Sequence, residues 1–133
     1  MNKYHIFAIK KEIYNIYKNN SYSLYKVLYN LYKINKPDLN YGITLYNQIC
    51  YPINVFNIKP KFLLLENIKI DKNKYILICN NKKSLIIFKP SRIIYKTDKI
   101  ESIYLFILNE YYNYFFACDF NSNSYFWINK IKY

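Results

Sequence analysis

A chain of 133 residues has room for one hydrophobic core and not for two, and with 53% hydrophobic and 21% aromatic residues it is no disordered segment. The formal net charge of +12 raises a nucleic-acid or membrane partner, yet Arg92 is the only arginine. Lysine, asparagine, isoleucine and tyrosine dominate; these are residues of A/T-rich codons, so base composition explains much of the lysine, whereas a reader of nucleic acid keeps arginine for its grip on guanine edges and phosphates.

Lys3 to Ile9 reads as a first strand, β-branched and aromatic without a breaker. Lys10 to Lys18 reads as a short helix with Ile9, Ile13 and Ile16 on one stripe and Tyr17 on its edge, ended by Asn19-Asn20-Ser21. Ser21 or Ser23 is placed to cap the next helix, whose buried face is Leu24, Val27, Leu28 and Leu31. Tyr22, Tyr25, Tyr29 and Tyr32 form a second stripe, mostly off that face. Asn35-Lys36-Pro37-Asp38 reads as a turn with Asp38 as a cap, and a third helix runs from Leu39 to about Cys50, weakened by Gly42 and stopped before Pro52.

The stretch from Ile53 to Ile70 has little periodicity; Pro60 interrupts it, and Phe62 to Ile70 suits a strand or a helical turn leading into one. Tyr75 to Cys79, Ser84 to Phe88 and Arg92 to Tyr95 are short apolar strands separated by Asn80-Asn81-Lys82-Lys83 and Lys89-Pro90-Ser91, which predicts a meander. Asp98 and Glu101 resemble a capping box, opening a helix to about Glu110 with Ile100, Ile103, Tyr104 and Ile107 on its buried face. Tyr114 to Cys118 is apolar throughout, as a strand covered on both faces should be, and Tyr125 to Asn129 alternates. With Asn121-Ser122-Asn123-Ser124 as the turn, these two runs make a hairpin that closes the sheet and buries Trp127. The expected fold is a single α+β domain over residues 1–133: one sheet of about five or six strands, mixed or mostly antiparallel, with the N-terminal helices packed on it.

Catalytic chemistry needs several polar groups brought together, and the pool here is thin. His5 is the only histidine, and Cys50, Cys79 and Cys118 are far apart, among apolar neighbours and without Cys-x-x-Cys spacing. They read as buried free thiols of a reducing cytosol rather than metal ligands. Asp119 with Asn121 reads as the cap of the hairpin turn, and Gly42 alone makes no phosphate loop. No enzyme, cofactor or metal is expected. Met1 to Lys11 does not have the pattern of a signal peptide, and the longest apolar run, Ile103 to Leu108, is too short to span a bilayer, so no membrane association is expected.

Phe115-Phe116-Ala117, Asp119-Phe120-Asn121-Ser122, Tyr125 and Trp127-Ile128-Asn129 together resemble the C-terminal signature of the sporulation inhibitor of replication family, SirA. Tyr4-His5-Ile6-Phe7-Ala8-Ile9-Lys10-Lys11-Glu12 is similar to that family's opening strand and helix, and Pro52-Ile53 to a further match after a polar helix. The resemblance implies a small cytoplasmic regulator that binds the N-terminal domain of the replication initiator DnaA and restrains chromosome replication during sporulation. It implies contact through the first helix, at Ile13 and Tyr17, and through the helix before Pro52, at Leu45 and Gln48. Ile16 is expected to take the core, leaving Ile13 and Tyr17 on an exposed edge. The family's pattern has an aromatic where this chain has Ile13, and another near Gln48; Tyr14, Tyr46 and Tyr51 are the rings that can stand in. The alternatives are a nucleic-acid-binding domain using Lys10, Lys11, Lys82 and Lys83 with nearby tyrosines as stacking platforms, and an assembly subunit with an unrelated partner.

Overall fold

The N-terminal strand, β1 (Asn2–Ile9), lies in the middle of the sheet rather than at its edge. The computed structural model describes every residue except 35–38, 66, 67, 73, 80, 132 and 133, and leaves out the side chain of Cys79. The predicted Asn35–Asp38 turn, its Asp38 cap and the Cys79 thiol therefore lie outside the described residues.

Antiparallel pairing joins β1 to β6 (Ile93–Thr97) on one side, in the register Tyr4↔Tyr95, and to β7 (Phe115–Asp119) on the other, in the register Ile6↔Ala117. A two-residue strand, β2 (Cys50–Tyr51), continues the β6 side beyond it at Ile9↔Cys50. The remaining strands are β3 (Ile68–Asp71), β4 (Lys74–Cys79), β5 (Lys82–Phe88) and β8 (Ser124–Trp127), giving the order β3-β4-β5-β6-β1-β7-β8 with β2 off that path. Among the described residues the sheet has eight strands, all antiparallel, against the five or six expected. The additions are β2, too short to show a period, and β3, which begins inside the Phe62 to Ile70 stretch read as a strand or a helical turn leading into one.

Five helices cover the sheet: α1 (Lys11–Tyr17), α2 (Ser21–Tyr32), α3 (Leu39–Ile49), α4 (Val55–Leu63) and α5 (Ser102–Tyr111). The alternation of a strand sends successive side chains to opposite faces, and β1 and β7 are apolar on both. Tyr4, Ile6, Ala8, Phe115 and Ala117 join Ile58 and Phe62 of α4 and Tyr104, Leu105 and Leu108 of α5 in one core. Phe7, Ile9, Phe116, Cys118 and Trp127 join Leu24, Tyr25 and Leu28 of α2 and Ile49 of α3 in the other. The domain is thus α+β in three layers, with α1, α2 and α3 on one face and α4 and α5 on the other. Ile6, Ile9, Phe115 and Phe116 are completely buried, each stabilising the fold by about 1.5–3 kcal/mol. A one-residue slip of β1 would exchange the two cores, so its register is firmly set.

The turn chemistry falls largely where expected. Asp119 accepts hydrogen bonds from the backbone N–H of Asn121 (3.1 Å) and of Ser122 (3.3 Å), tying the β7–β8 turn. Trp127 is 3% exposed and lies opposite Phe116.

Helix faces depart from expectation. Ile16 is 67% exposed instead of buried, while Ile13, Tyr14 and Tyr17 pack toward the core. Tyr14 orients α1, because its ring meets Trp127 edge-on at 4.7 Å and Tyr114 at 4.6 Å. Ile16 lies two positions on, about 160° around the helix. On α2 the buried seam includes Tyr25, whose hydroxyl donates to Asn123 Oδ1 (2.9 Å), so the polar tip is satisfied and the ring can be buried. Ser21 does not cap α2; its Oγ accepts the Trp127 indole N–H at 2.9 Å. On α5 the buried residues are Tyr104, Leu105 and Leu108, and Ile103 is 43% exposed. Neither Asp98 nor Glu101 caps it; the Glu101 N–H donates instead to the Tyr95 hydroxyl (3.1 Å). The helix α4 runs through Pro60 because Ile58 and Phe62, both completely buried, hold it on the sheet.

Candidate functional site

The helices named by the resemblance meet at their ends. The Lys10 N–H at the start of α1 donates to the Ile49 carbonyl at the end of α3 (2.9 Å), and β2 then pairs with the end of β1. Ile13, Tyr17 and Leu45 are half-buried and pack on the core beneath α1–α3, while Gln48 is exposed. The four residues therefore share one layer; no hydrogen bond or ring contact joins the α1 pair to the α3 pair among the described residues. Of the rings that can replace the missing aromatics, Tyr14 is packed on Trp127 and Tyr114. The Tyr46 hydroxyl is tied to the Ser91 carbonyl at 2.8 Å. Tyr51 is 45% exposed, with Lys10 Nζ 5.4 Å from its ring centre. Ile16 is exposed on α1 and Gln48 on α3, whereas Tyr51, paired with Ala8, belongs to the opposite face of the sheet beside Tyr112.

A second constellation had no signature in the sequence. A cavity of about 280 Å³ opens between the C-terminal end of α2, helix α3, Phe7 of β1 and the Ser91-Arg92 approach to β6. Arg92, half-buried, lines it and donates from Nε to His5 Nδ1 at 2.9 Å; its Nη1 reaches Ser91 Oγ only at 3.5 Å. His5 is 2% exposed, beside the rings of Tyr32 (5.0 Å) and Phe120 (5.1 Å), which stack on each other at 4.6 Å. Burial first, and then the Arg92 guanidinium, lowers the His5 pKa to about 4, so the imidazole is neutral at pH 7 and its Nδ1 accepts. Burial also lowers the Arg92 pKa, and among the described residues no carboxylate lies within ion-pair distance of it. Tyr46, held neutral by burial that pushes its hydroxyl well above the usual range, clamps α3 to the same corner. Gly42 lets α3 approach: a Cβ there would lie 3.0 Å from Ile34 Cδ1. The one signal available was rarity, since the only arginine, histidine and glycine of the chain gather at this corner.

Other polar groups are structural or dispersed. Cys50 and Cys118 are buried free thiols whose pKa burial raises, to about 12 for Cys50. No group of three potential metal ligands occurs among the described residues. Lys10-Lys11 and Lys82-Lys83 fall at opposite ends of the sheet by the β1–β6–β5 register, roughly 30 Å apart along the strand direction, so they do not form one patch. No helix among the described residues is long and apolar enough to cross a membrane.

A scan against protein-family models finds none that matches this chain, and a search of curated proteins finds no significant match.

Proposed function

We propose that this chain is a protein-binding regulator of the SirA type, which engages the N-terminal domain of DnaA in the cytoplasm and restrains initiation of chromosome replication. The supporting observation is a packing one. Trp127, from the stretch that resembles the family signature, seats both N-terminal helices: its indole N–H bonds Ser21 at the start of α2 and its ring carries Tyr14 of α1. The signature thus positions the helix to which the resemblance assigns partner contact. That helix presents Ile13 and Tyr17 at its half-buried margin and Ile16 openly, next to the α3 end that carries Leu45 and Gln48.

Aromatic anchors near the centre of an interface carry a large share of binding energy, so Tyr17→Ala should weaken the complex by about 2 kcal/mol, roughly thirtyfold. Tyr17 also packs on the core, so the same change should destabilise the fold by about 1 kcal/mol; Gln48→Ala, at an exposed position, should leave stability within about 0.5 kcal/mol. The test is titration of purified DnaA N-terminal domain from the same organism into wild type, Tyr17→Ala and Gln48→Ala, with a denaturation curve for each. Absence of wild-type binding overturns the function. Undiminished binding by both variants moves the interface off α1 and α3.

A further inference from the structure

We infer that the cavity beside Arg92 is a binding site for a small apolar monocarboxylate, with the carboxylate on the Arg92 guanidinium and the hydrocarbon or aryl body between α2 and α3. This stands apart from the partner surface, because Leu45 precedes cavity-lining Tyr46 by one residue and so points about 100° away around α3.

Charge carries the first part. A guanidinium taken partly out of water is unfavourable without a counter-charge, and here the described protein offers none. Its one firm hydrogen bond goes to a neutral imidazole acceptor, which orients the group without neutralising it. With Nε held by His5, the Nη groups are what Arg92 has to present, and their planar fork matches a carboxylate.

The rest of the lining selects against other anions. Phe7, Leu31, Tyr32, Leu39 and Ile43 supply apolar wall, and the Tyr46 hydroxyl is already bonded to the Ser91 carbonyl. One cation and a weakly held serine hydroxyl suit a single negative group. A phosphate would call for more donors than the described residues of this corner hold. The volume of about 280 Å³ is at the small end for ligand pockets and suits a ligand of roughly ten non-hydrogen atoms.

The probes are 3-phenylpropionate and octanoate, each titrated by calorimetry into the full chain at pH 7, with 3-phenylpropanol, acetate and inorganic phosphate as comparisons. Both long carboxylates should bind with dissociation constants below about 1 mM. The alcohol should bind at least about tenfold more weakly, since it lacks the charge-assisted bond. Acetate and phosphate, lacking the apolar body, should also be at least about tenfold weaker. Arg92→Gln should abolish the preference for acid over alcohol, and its melting curve shows that the variant is folded. Arg92→Lys should keep part of the preference. The proposal is overturned if neither carboxylate binds at 10 mM, if the alcohol or inorganic phosphate binds as well as phenylpropionate, or if Arg92→Gln melts as wild type and binds unchanged.

Discussion

Acid should destabilise this protein through His5 before most of its carboxylates titrate. The native imidazole, 2% exposed, resists protonation until about pH 4, whereas the unfolded side chain protonates below about pH 6.5. Between those values the unfolded state binds the extra proton, so stability is full above pH 6.5 and falls as pH drops toward 4. The shift of about 2.5 pH units, at roughly 1.4 kcal/mol per unit, amounts to about 3 kcal/mol, of which about 2 kcal/mol is lost by pH 5. The charged groups around His5 act in both directions: Arg92, Lys3 and Lys89 disfavour the imidazolium, and Asp119 favours it. Urea denaturation of wild type and His5→Gln from pH 7 to pH 4.5 isolates the contribution, because glutamine can accept the Arg92 N–H and does not titrate. The wild type should lose stability relative to His5→Gln as pH falls, and proton NMR of the single imidazole should place its midpoint near pH 4. Parallel stability curves, or a midpoint near 6.5, would refute the burial and pairing described for His5.

Two further outcomes follow from the first-face core. Trp127→Phe removes the indole donor to Ser21 and leaves a smaller ring against Tyr14 and Phe116; it should cost about 2–3 kcal/mol in urea denaturation. A double-mutant cycle with Ser21→Ala should return a coupling near 1 kcal/mol, and strict additivity would show that hydroxyl and indole do not interact. Cys50 and Cys118, buried and with raised thiol pKa values, should escape iodoacetamide in the native protein and react once it is unfolded. Peptide mapping checks this, and rapid native labelling of Cys118 would place β7 at the surface.

Strands were legible where turn residues punctuate apolar runs. Lys89 to Ser91 separate β5 from β6 as expected, whereas Lys82 and Lys83, expected in a turn, open β5 and pair with Cys79 and Ile78. The existence of α1, α2, α3 and α5 was legible too, while α4, in the stretch that Pro60 interrupts, was not, and helix phase was not. With isoleucine and tyrosine on every side, apolar periodicity loses contrast, and Ile16 and Ile103 were assigned to buried stripes that they do not join. What sets the phase is a partner distant in sequence: Tyr14 on Trp127, and the Tyr25 hydroxyl on Asn123, 98 positions away. The Arg92 corner was illegible for the same reason. It is assembled from β1, α2, α3 and the approach to β6, and its central hydrogen bond spans 87 positions. Ile13, Tyr17, Leu45 and Gln48 came from resemblance alone; the fold puts them in one layer, and binding remains the measurement that assigns them a partner.

The central place of β1 also sets an order of events for the chain. The strand is synthesised before its partners, yet its neighbours are residues 93–97 and 115–119, with only the two residues of β2 to pair with before them. Until β7 and β8 exist, α1, α2 and α3 lack Phe116, Cys118 and Trp127 beneath them, and the apolar faces of β1 are uncovered. The longest run of strands that pair with their sequence neighbours is β3 to β6, which makes that meander the first stable platform; β1 docks on it only after some ninety residues of loop are closed. Such a topology folds late and all together, and during synthesis its exposed strand is the segment that most needs shielding from other chains.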